Sequence, residues 1–109
     1  MRGFRTDRKA YRRSLPSNPD NATIAMLVDR IGVSPRGPGV DDFEKDRMVR
    51  VLKAIRLDRA LPPIQVIEPS GEVRTHALYH GRHRLAASIA VGFSLVPTEI
   101  VRDLWKPAV

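Results

Sequence analysis

The sequence predicts a small α/β (α+β) domain with a mixed sheet and two main helices. Segments with the length and apolarity of strands alternate with two segments of helical pattern, in the order strand, helix, two strands, helix, strand. The 109 residues suffice for one domain with a single modest core. Hydrophobic residues make up 42% of the chain and charged residues 28%, as is typical of a folded globular protein.

The first predicted strand covers residues 22–31, which are rich in apolar side chains and end before Gly32. A loop follows at residues 32–40, where two prolines and three glycines occur among nine residues. Such a composition largely presets the backbone. The loop therefore holds Arg36 in place at a low entropic cost, which makes this arginine a candidate for binding an anion. The alternative is an ordinary surface arginine.

The longest helix is predicted over residues 41–59. Asp41 and Glu44 have the spacing of a capping box with Asp41 as the N-cap, and the acidic first turn suits the helix dipole. The Ala-Leu-Pro-Pro sequence at residues 60–63 ends the helix, because proline lacks the donor that a helix interior requires. The buried stripe of this helix is predicted to comprise Met48, Val51, Leu52 and Ile55.

Two strands joined by a turn are predicted at residues 63–68 and 73–79. The second helix is predicted at residues 82–91, with Gly92 in the left-handed conformation that commonly ends a helix. The last strand is predicted at residues 94–103. Alternation along the second strand of the pair places four side chains on one face, namely Val73, Thr75, Ala77 and Tyr79.

The net charge of +7 is concentrated at the N-terminus. Residues 1–13 contain six basic residues and one acidic residue, whereas the rest of the chain contains 13 basic and 11 acidic residues. We therefore divide the chain into a basic, flexible N-terminal arm (1–21), a folded domain (22–104) and a C-terminal tail (105–109). The basic residues of the arm are Arg2, Arg5, Arg8, Lys9, Arg12 and Arg13.

The composition excludes several functional classes. There is no cysteine, so disulfides, thiolate metal sites and thiol catalysis are excluded. No apolar run approaches the roughly 20 residues that cross a bilayer, and no apolar segment follows the basic start as it would in a secretory signal. These features lead us to expect a cytoplasmic protein. His76, His80 and His83 lack the helical spacing of zinc-ligand pairs, so no metal site is predicted.

The stretch YHGRHRLAAS at residues 79–88 carries the clearest functional signal. It places Arg82, His83 and Arg84 at the start of the predicted second helix, where the helix dipole disfavours positive charge. A bound anion removes this conflict, because the N–H groups of a first helical turn bind phosphate and Gly81 lets the backbone approach it. The arginine forks and a histidine donor complete such a phosphate site. The alternative is a plain turn at Gly81 with both arginines in solvent.

This turn, together with LPPIQVI at residues 61–67 and GFSLVPTEIV at residues 92–101, resembles the core of the ParB/sulfiredoxin-like superfamily. SPRG at residues 34–37 is similar to the proline–arginine loop of ParB N-terminal domains. The resemblance covers about residues 24–101. It implies a nucleotide-phosphate site at residues 81–84, with ATP or CTP as the ligand and Mg²⁺ as its companion ion.

The sequence differs from known members of this superfamily at several points, and these differences narrow the functions that the resemblance implies. Sulfiredoxins carry their catalytic cysteine at the position of Arg82, so thiol-dependent sulfinic-acid reduction is excluded. Chromosome-partition ParB proteins carry a further nucleotide motif and a DNA-reading region beyond the last strand. Because this chain stops at Val109, we do not expect a full sliding clamp. Serine kinases of the superfamily use a glutamate as base, but neither Glu44 nor Glu99 lies in a matching motif.

The resemblance and the residues leave three functional hypotheses. The first is a nucleotide-binding domain with its phosphates at residues 81–84, assisted by Arg36 and by Arg47, which falls where the first helix of the superfamily faces the phosphates. Any hydrolysis or phosphate transfer there rests on electrostatic stabilisation. Arg47 has the alternative of a solvated helix face.

The second hypothesis is a DNA-associated ParB-like module, of the nuclease or partition type. Its basic arm docks on the DNA backbone and its anion pocket receives a DNA phosphate. A metal-dependent nuclease needs clustered carboxylates, and the acidic cluster at residues 41–46 fits a first helical turn better. The third hypothesis is an adaptor that has kept the fold and lost its ligand. The sequence leaves catalysis, the base and the oligomeric state open.

Overall fold

The computed structural model describes residues 8–32, 44–69 and 75–101. Within these residues, five strands form one mixed sheet and two helices pack against it, which confirms the predicted α+β class. A short 3₁₀ helix at Val28–Arg30 links the first two strands. In chain order the elements are β1 (Ala22–Leu27), β2 (Ile31–Gly32), α1 (Lys45–Arg56), β3 (Ile64–Ile67), β4 (His76–His80), α2 (Arg82–Ala90) and β5 (Leu95–Val101).

The strands lie in the order β1-β5-β3-β4-β2. Strand β5 runs parallel to the central β3 and antiparallel to β1, while β4 pairs antiparallel with β3 and parallel with β2. Because β5 has strands on both sides, its segment from Val96 to Ile100 is buried throughout. This mixed arrangement brings the start of β3 beside the point where β4 passes into α2.

The strand predicted at residues 22–31 is divided in the structure. Its first part, β1, pairs with β5 at one edge of the sheet, and its last part, β2, pairs with β4 at the other edge. At the 3₁₀ turn the chain leaves one edge of the sheet and joins the opposite one. The Val28 N–H donates to the Ser94 carbonyl (3.1 Å) where β1 ends.

The first helix is shorter than predicted. Its N-cap is Glu44, whose backbone is extended and whose side chain makes no capping hydrogen bond, so the expected helix start at Asp41 with a capping box is wrong. Asp41 itself lies outside the described residues. The helix ends at Arg56, close to Asp58, which takes a positive φ of 55°.

The second helix follows the prediction closely. It spans Arg82–Ala90, and Gly92 adopts the expected left-handed conformation with φ of 89°. The adjoining strand β4 begins at His76, so Thr75 precedes the strand, and Val73 lies outside the described residues. None of the helices in the described ranges has the length and apolarity that a membrane span requires.

The hydrophobic core lies between the sheet and the two helices. Ile64 and Val66 of β3 and Val96 of β5 are fully buried. Helix α1 contributes the predicted Val51 and Ile55, with Met48 and Leu52 packed at the margin, and α2 contributes Leu85 and Ala87. Burial of these side chains holds the two helices against each other and against the sheet.

The N-terminal segment, residues 8–21, packs on the domain. Tyr11 is a core residue with 3% of its surface exposed. The Arg12 carbonyl accepts from the Leu61 N–H (2.9 Å), and the Ser14 N–H donates to the Leu61 carbonyl (2.8 Å). The expectation of a flexible arm over residues 1–21 is therefore wrong for this segment, because a buried aromatic and backbone pairing hold it in place.

Candidate functional site

A cleft of about 700 Å³ lies where β4 passes into α2 and where β3 begins. Pro62 and Pro63 precede β3 and line the cleft beside the 81–84 turn, which lies at the start of α2. Arg47 and Val51 reach it from α1. Ser17, Gln65 and Glu99 add polar groups from three other places in the chain. The end of β4 lines the cleft as well, with Leu78, Tyr79 and His80.

Gly81 is the residue on which the shape of this turn depends. It is the N-cap of α2 and has a left-handed backbone, with φ of 108° and ψ of 27°. A Cβ atom on Gly81 would lie 2.7 Å from Cγ2 of Ile64 and 3.0 Å from its Cα. Glycine is therefore required both by the backbone conformation and by the close approach to β3, whereas the sequence predicted a close approach to a bound anion.

The first turn of α2 borders the cleft. The Leu85 N–H makes a helical hydrogen bond, to the Gly81 carbonyl at 2.9 Å, so the helix itself provides no acceptor for the N–H groups of residues 82–84. No acidic residue occurs in this turn, and no side chain caps it. The N-terminus of α2 therefore keeps its partial positive charge.

Arg84, which the sequence predicts as a phosphate-binding residue, makes hydrogen bonds within the protein. Its Nη1 donates to the carbonyls of Pro62 (3.0 Å) and Pro63 (3.2 Å). The Tyr11 hydroxyl donates to the same Pro62 carbonyl at 2.6 Å. Burial lowers the pKa of the Arg84 guanidinium. Burial raises the pKa of the Tyr11 phenol, and the nearby charge of Arg84 opposes this rise only in part. Arg84 thus fixes the Pro62–Pro63 wall of the cleft.

His83 connects the starts of the two helices. Its Nε2 accepts a hydrogen bond from the Glu44 backbone N–H at 2.9 Å. In this arrangement the ring proton lies on Nδ1, so any donation to a phosphate must come from that atom. Arg47 extends from α1 into the same cleft with 62% of its side chain exposed, and its guanidinium lies 3.8 Å from the Glu44 carboxylate.

The cleft thus brings together five of the six residues that the sequence predicted for phosphate binding. Arg36, the sixth, lies outside the described residues. The five residues that line the cleft are Gly81, Arg82, His83, Arg84 and Arg47.

The basic residues predicted for DNA binding divide into three groups. Arg2 and Arg5 lie outside the described residues. The Arg8 guanidinium contacts the Asp58 carboxylate, the Ile55 carbonyl at 3.2 Å and the Phe93 ring at 5.7 Å, so it is engaged within the protein. The third group is exposed and does not line the cleft, and it comprises Lys9, Arg12 and Arg13.

The structure also brings to the cleft a residue that the sequence analysis considered only as a kinase base and did not include in the site, namely Glu99. Glu99 has 1% of its surface exposed, yet it borders the cleft. Its carboxylate accepts hydrogen bonds from Asn21 Nδ2 (2.6 Å), from the Ser17 N–H and hydroxyl (both 3.1 Å) and from the Asn18 N–H (3.2 Å). One sequence signal was present, since Glu99 is a single acidic residue inside an otherwise uncharged strand.

The pKa of Glu99 reflects two opposing effects. Burial raises the pKa of this carboxyl, but the hydrogen bonds from Asn21, Ser17 and Asn18 together outweigh it and hold the pKa below its ordinary value. Glu99 is therefore ionised at neutral pH. Among the described residues, no group of three metal-ligating side chains comes together, at Glu99 or elsewhere.

Comparisons with known proteins identify solved structures with a similar fold. No protein-family model matches the chain, and neither does any curated protein. Sulfiredoxin from Arabidopsis thaliana is similar in structure, with a TM-score of 0.58 and 23% identity over 75% of this chain and 86% of that one. Also similar is the C-terminally truncated chromosome-partitioning protein ParB from Caulobacter crescentus complexed with CTP-gamma-S, with a TM-score of 0.60 and 20% identity.

The match to ParB covers 78% of this chain and 46% of the ParB chain, so the present chain corresponds to less than half of that protein. Both similarities are at the level of structure, since identity is low. The chain has a ParB/sulfiredoxin-like fold, which confirms the resemblance that the sequence indicated.

Proposed function

We propose that this domain binds a nucleotide whose phosphates lie on the 81–84 turn, at the N-terminus of α2. The observation that carries the proposal is a helix N-terminus with partial positive charge that borders an accessible cleft. The first turn of α2 contains no acidic residue and opens into the cleft, and the Arg47 and Arg82 side chains border the same cavity. A helix N-terminus flanked by guanidinium groups favours phosphate for both dipole and charge reasons.

The size of the cleft fits a ligand larger than phosphate. Its volume of about 700 Å³ lies within the range of roughly 300–1,000 Å³ that is usual for small-molecule sites. The likeness to a ParB structure complexed with CTP-gamma-S supports a nucleotide as the occupant. CTP and ATP are both candidates for the nucleotide. The Glu99 carboxylate already accepts hydrogen bonds from protein donors, so we expect Mg²⁺ to be bound by the phosphates of the nucleotide and not by Glu99.

Each cation in the cleft has a distinct role in this proposal. Arg47 and Arg82 supply charge to the phosphates, whereas Arg84 keeps the Pro62–Pro63 wall in place and lends its positive charge from there. If hydrolysis or phosphoryl transfer follows binding, these groups would stabilise the developing phosphate charge without a covalent intermediate.

The proposal is tested by calorimetry and thermal-shift measurements with ATP, ADP, CTP, GTP and inorganic phosphate, with and without Mg²⁺. A ligand that binds the native state raises its melting temperature. The Arg47→Ala variant should bind the best nucleotide about tenfold more weakly, since it loses one partly solvated contact to phosphate, and a tenfold change corresponds to about 1.4 kcal/mol.

Arg56→Ala is the matched control, because Arg56 is exposed on the same helix and does not line the cleft. Its nucleotide affinity should stay within about twofold of the wild-type value. Equal affinities for the two variants, or no melting shift with any of these ligands, would contradict the proposal.

A second function is favoured by one observation, the exposure of Lys9, Arg12 and Arg13 on a segment that the fold holds in place. We propose that this surface contacts the DNA backbone. If each residue neutralises one phosphate, replacing all three by alanine should reduce the slope of log affinity against log salt by about 2–3. Fluorescence anisotropy with a labelled duplex at several salt concentrations measures this slope, and an unchanged slope argues against DNA binding here.

A further inference from the structure

The cleft contains a second polar group besides the 81–84 turn. It consists of Ser17 from the N-terminal segment, Gln65 from β3 and Glu99 from β5. Gln65 and Glu99 are partners in the parallel β3–β5 register, so their side chains emerge on the same face of the sheet. This group is neither basic nor metal-ligating, and the phosphate site does not use it.

Glu99 acts as an anchor within this group. Both of its carboxylate oxygens accept hydrogen bonds, from Ser17, Asn18 and Asn21, and a longer contact comes from Gln65 Nε2 at 3.4 Å. A carboxylate with this many donors has no remaining role as a base or ligand. It instead fixes the position of Ser17 and of the Gln65 side chain.

The Gln65 amide is oriented by these contacts. Its Nε2 donates to Ser17 Oγ at 2.7 Å and faces Glu99, and because a carboxylate only accepts hydrogen bonds, this nitrogen must be the amide donor. The amide is planar, so its Oε1 points away from both partners. Within the described residues, no protein group donates a hydrogen bond to that oxygen, and Gln65 borders the cleft.

The charge distribution decides what this oxygen can recognise. The ionised Glu99 beside it repels phosphate, which therefore belongs at the α2 end with Arg47 and Arg82. An uncharged acceptor in a half-buried position instead selects a group that donates a hydrogen bond. The organic part of a nucleotide has such donors in its ribose hydroxyls and, for some bases, in an exocyclic amine.

We propose that Gln65 Oε1 accepts a hydrogen bond from the nucleoside part of the ligand, so that the cleft selects nucleoside polyphosphates over inorganic polyphosphate. Ser17 and Glu99 are positioning residues in this proposal, because they hold the amide without touching the ligand. The inference rests on the proposed function, which supplies the phosphate end of the site.

The test compares Gln65→Met with the wild type by calorimetry, using CTP, ATP and sodium tripolyphosphate as probes. Methionine keeps the length of the side chain and removes the amide. We expect nucleotide affinity to fall about five- to tenfold, as for loss of one buried neutral hydrogen bond, while tripolyphosphate affinity changes less than twofold. Arg47→Ala is the complementary variant and should weaken all three probes.

Two further measurements keep the test decisive. If Gln65→Met does not fold, Gln65→Asn replaces it, since this variant retains the amide but withdraws the oxygen by about one methylene, and the same selective loss is expected. Ligands that lack one donor identify the group: 2′-deoxy-CTP lacks a ribose hydroxyl and UTP lacks the exocyclic amine. The analogue that lacks the recognised donor should bind wild type and Gln65→Met equally.

The outcomes separate the two proposals. A wild-type protein that binds neither tripolyphosphate nor nucleotides overturns the proposed function and this inference with it. Detectable nucleotide binding that Gln65→Met leaves unchanged, or weakens by the same factor as tripolyphosphate binding, overturns the inference and leaves the phosphate site standing.

Discussion

The two ends of the cleft hold opposite charges, and the protein treats them differently. At one end the buried Glu99 carboxylate accepts hydrogen bonds from Ser17, Asn18, Asn21 and Gln65. At the other end, the positive N-terminus of α2 has no acidic residue in its first turn and no side-chain cap. The negative charge is therefore stabilised by hydrogen bonds from neutral donors, whereas the positive end of α2 borders the same cavity without an acidic residue or a side-chain cap.

The same difference distinguishes the arginines. Arg8 is bound by Asp58, a backbone carbonyl and an aromatic ring, and Arg84 by two proline carbonyls. Arg47 has an exposed side chain and a carboxylate neighbour at 3.8 Å, a pair whose contribution to stability is small. A charged side chain that the fold has already paired mainly stabilises the fold, and the less engaged one is better suited to bind a ligand.

The largest expected effect concerns the turn that shapes the positive end. Gly81→Ala forces a Cβ atom within 2.7 Å of Ile64 and places alanine at φ of 108°. We expect it to lower the free energy of unfolding by about 2–5 kcal/mol, the sum of left-handed strain and overpacking. Urea denaturation measures the loss, and nucleotide binding should disappear with it.

Gly92→Ala is the matched control for that experiment. Gly92 also has a positive φ, of 89°, but a Cβ there meets no atom within 4 Å. It should cost only the backbone strain, about 1–2 kcal/mol, and should leave nucleotide affinity unchanged. Equal losses in the two variants would mean that the close approach to Ile64 does not shape the site.

The features that the sequence predicts correctly are those that depend on neighbouring residues. The start of α2, the left-handed Gly92 and the buried stripe of α1 all follow from local spacing and backbone preference. The cluster at residues 82–84 could likewise be predicted, because these residues are adjacent in the chain. Arg47 is distant in sequence, and it was predicted only from the resemblance to ParB/sulfiredoxin-like domains.

The features that the sequence does not predict depend on contacts between distant residues. The hydrogen bonds from Ser17 to Glu99 join positions 82 residues apart, and no local pattern indicates such a pair. Basic composition made residues 8–21 resemble a solvated arm, yet one buried aromatic, Tyr11, anchors them. The division of the first strand depends on pairing with β5 and β4, which also lie far along the chain.

A smaller effect is expected at the negative end, from Glu99→Gln. An amide nitrogen in place of a carboxylate oxygen would face donors from Ser17, Asn18 or Asn21, so the variant should lose about 1–3 kcal/mol of stability. Asp29→Asn is the control, because Asp29 is an exposed carboxylate in the 3₁₀ helix, and it should change stability by less than about 0.5 kcal/mol.

The pH dependence of stability in the wild type and in Glu99→Gln tests the comparison between the two ends of the cleft. Because the pKa of Glu99 is lower in the folded state than its ordinary value of about 4.3, ionised Glu99 stabilises the fold above that pH. This stabilisation is lost as the pH falls from about 4.3 through the folded pKa, since the fold must then bury a protonated group among donors. The difference in melting temperature between wild type and Glu99→Gln should therefore be constant from pH 7 to pH 5 and shrink below pH 4. If the melting temperatures of the two proteins instead differ by the same amount from pH 7 to below pH 4, the hydrogen bonds do not stabilise an ionised Glu99. The contrast with the N-terminus of α2 would then no longer hold.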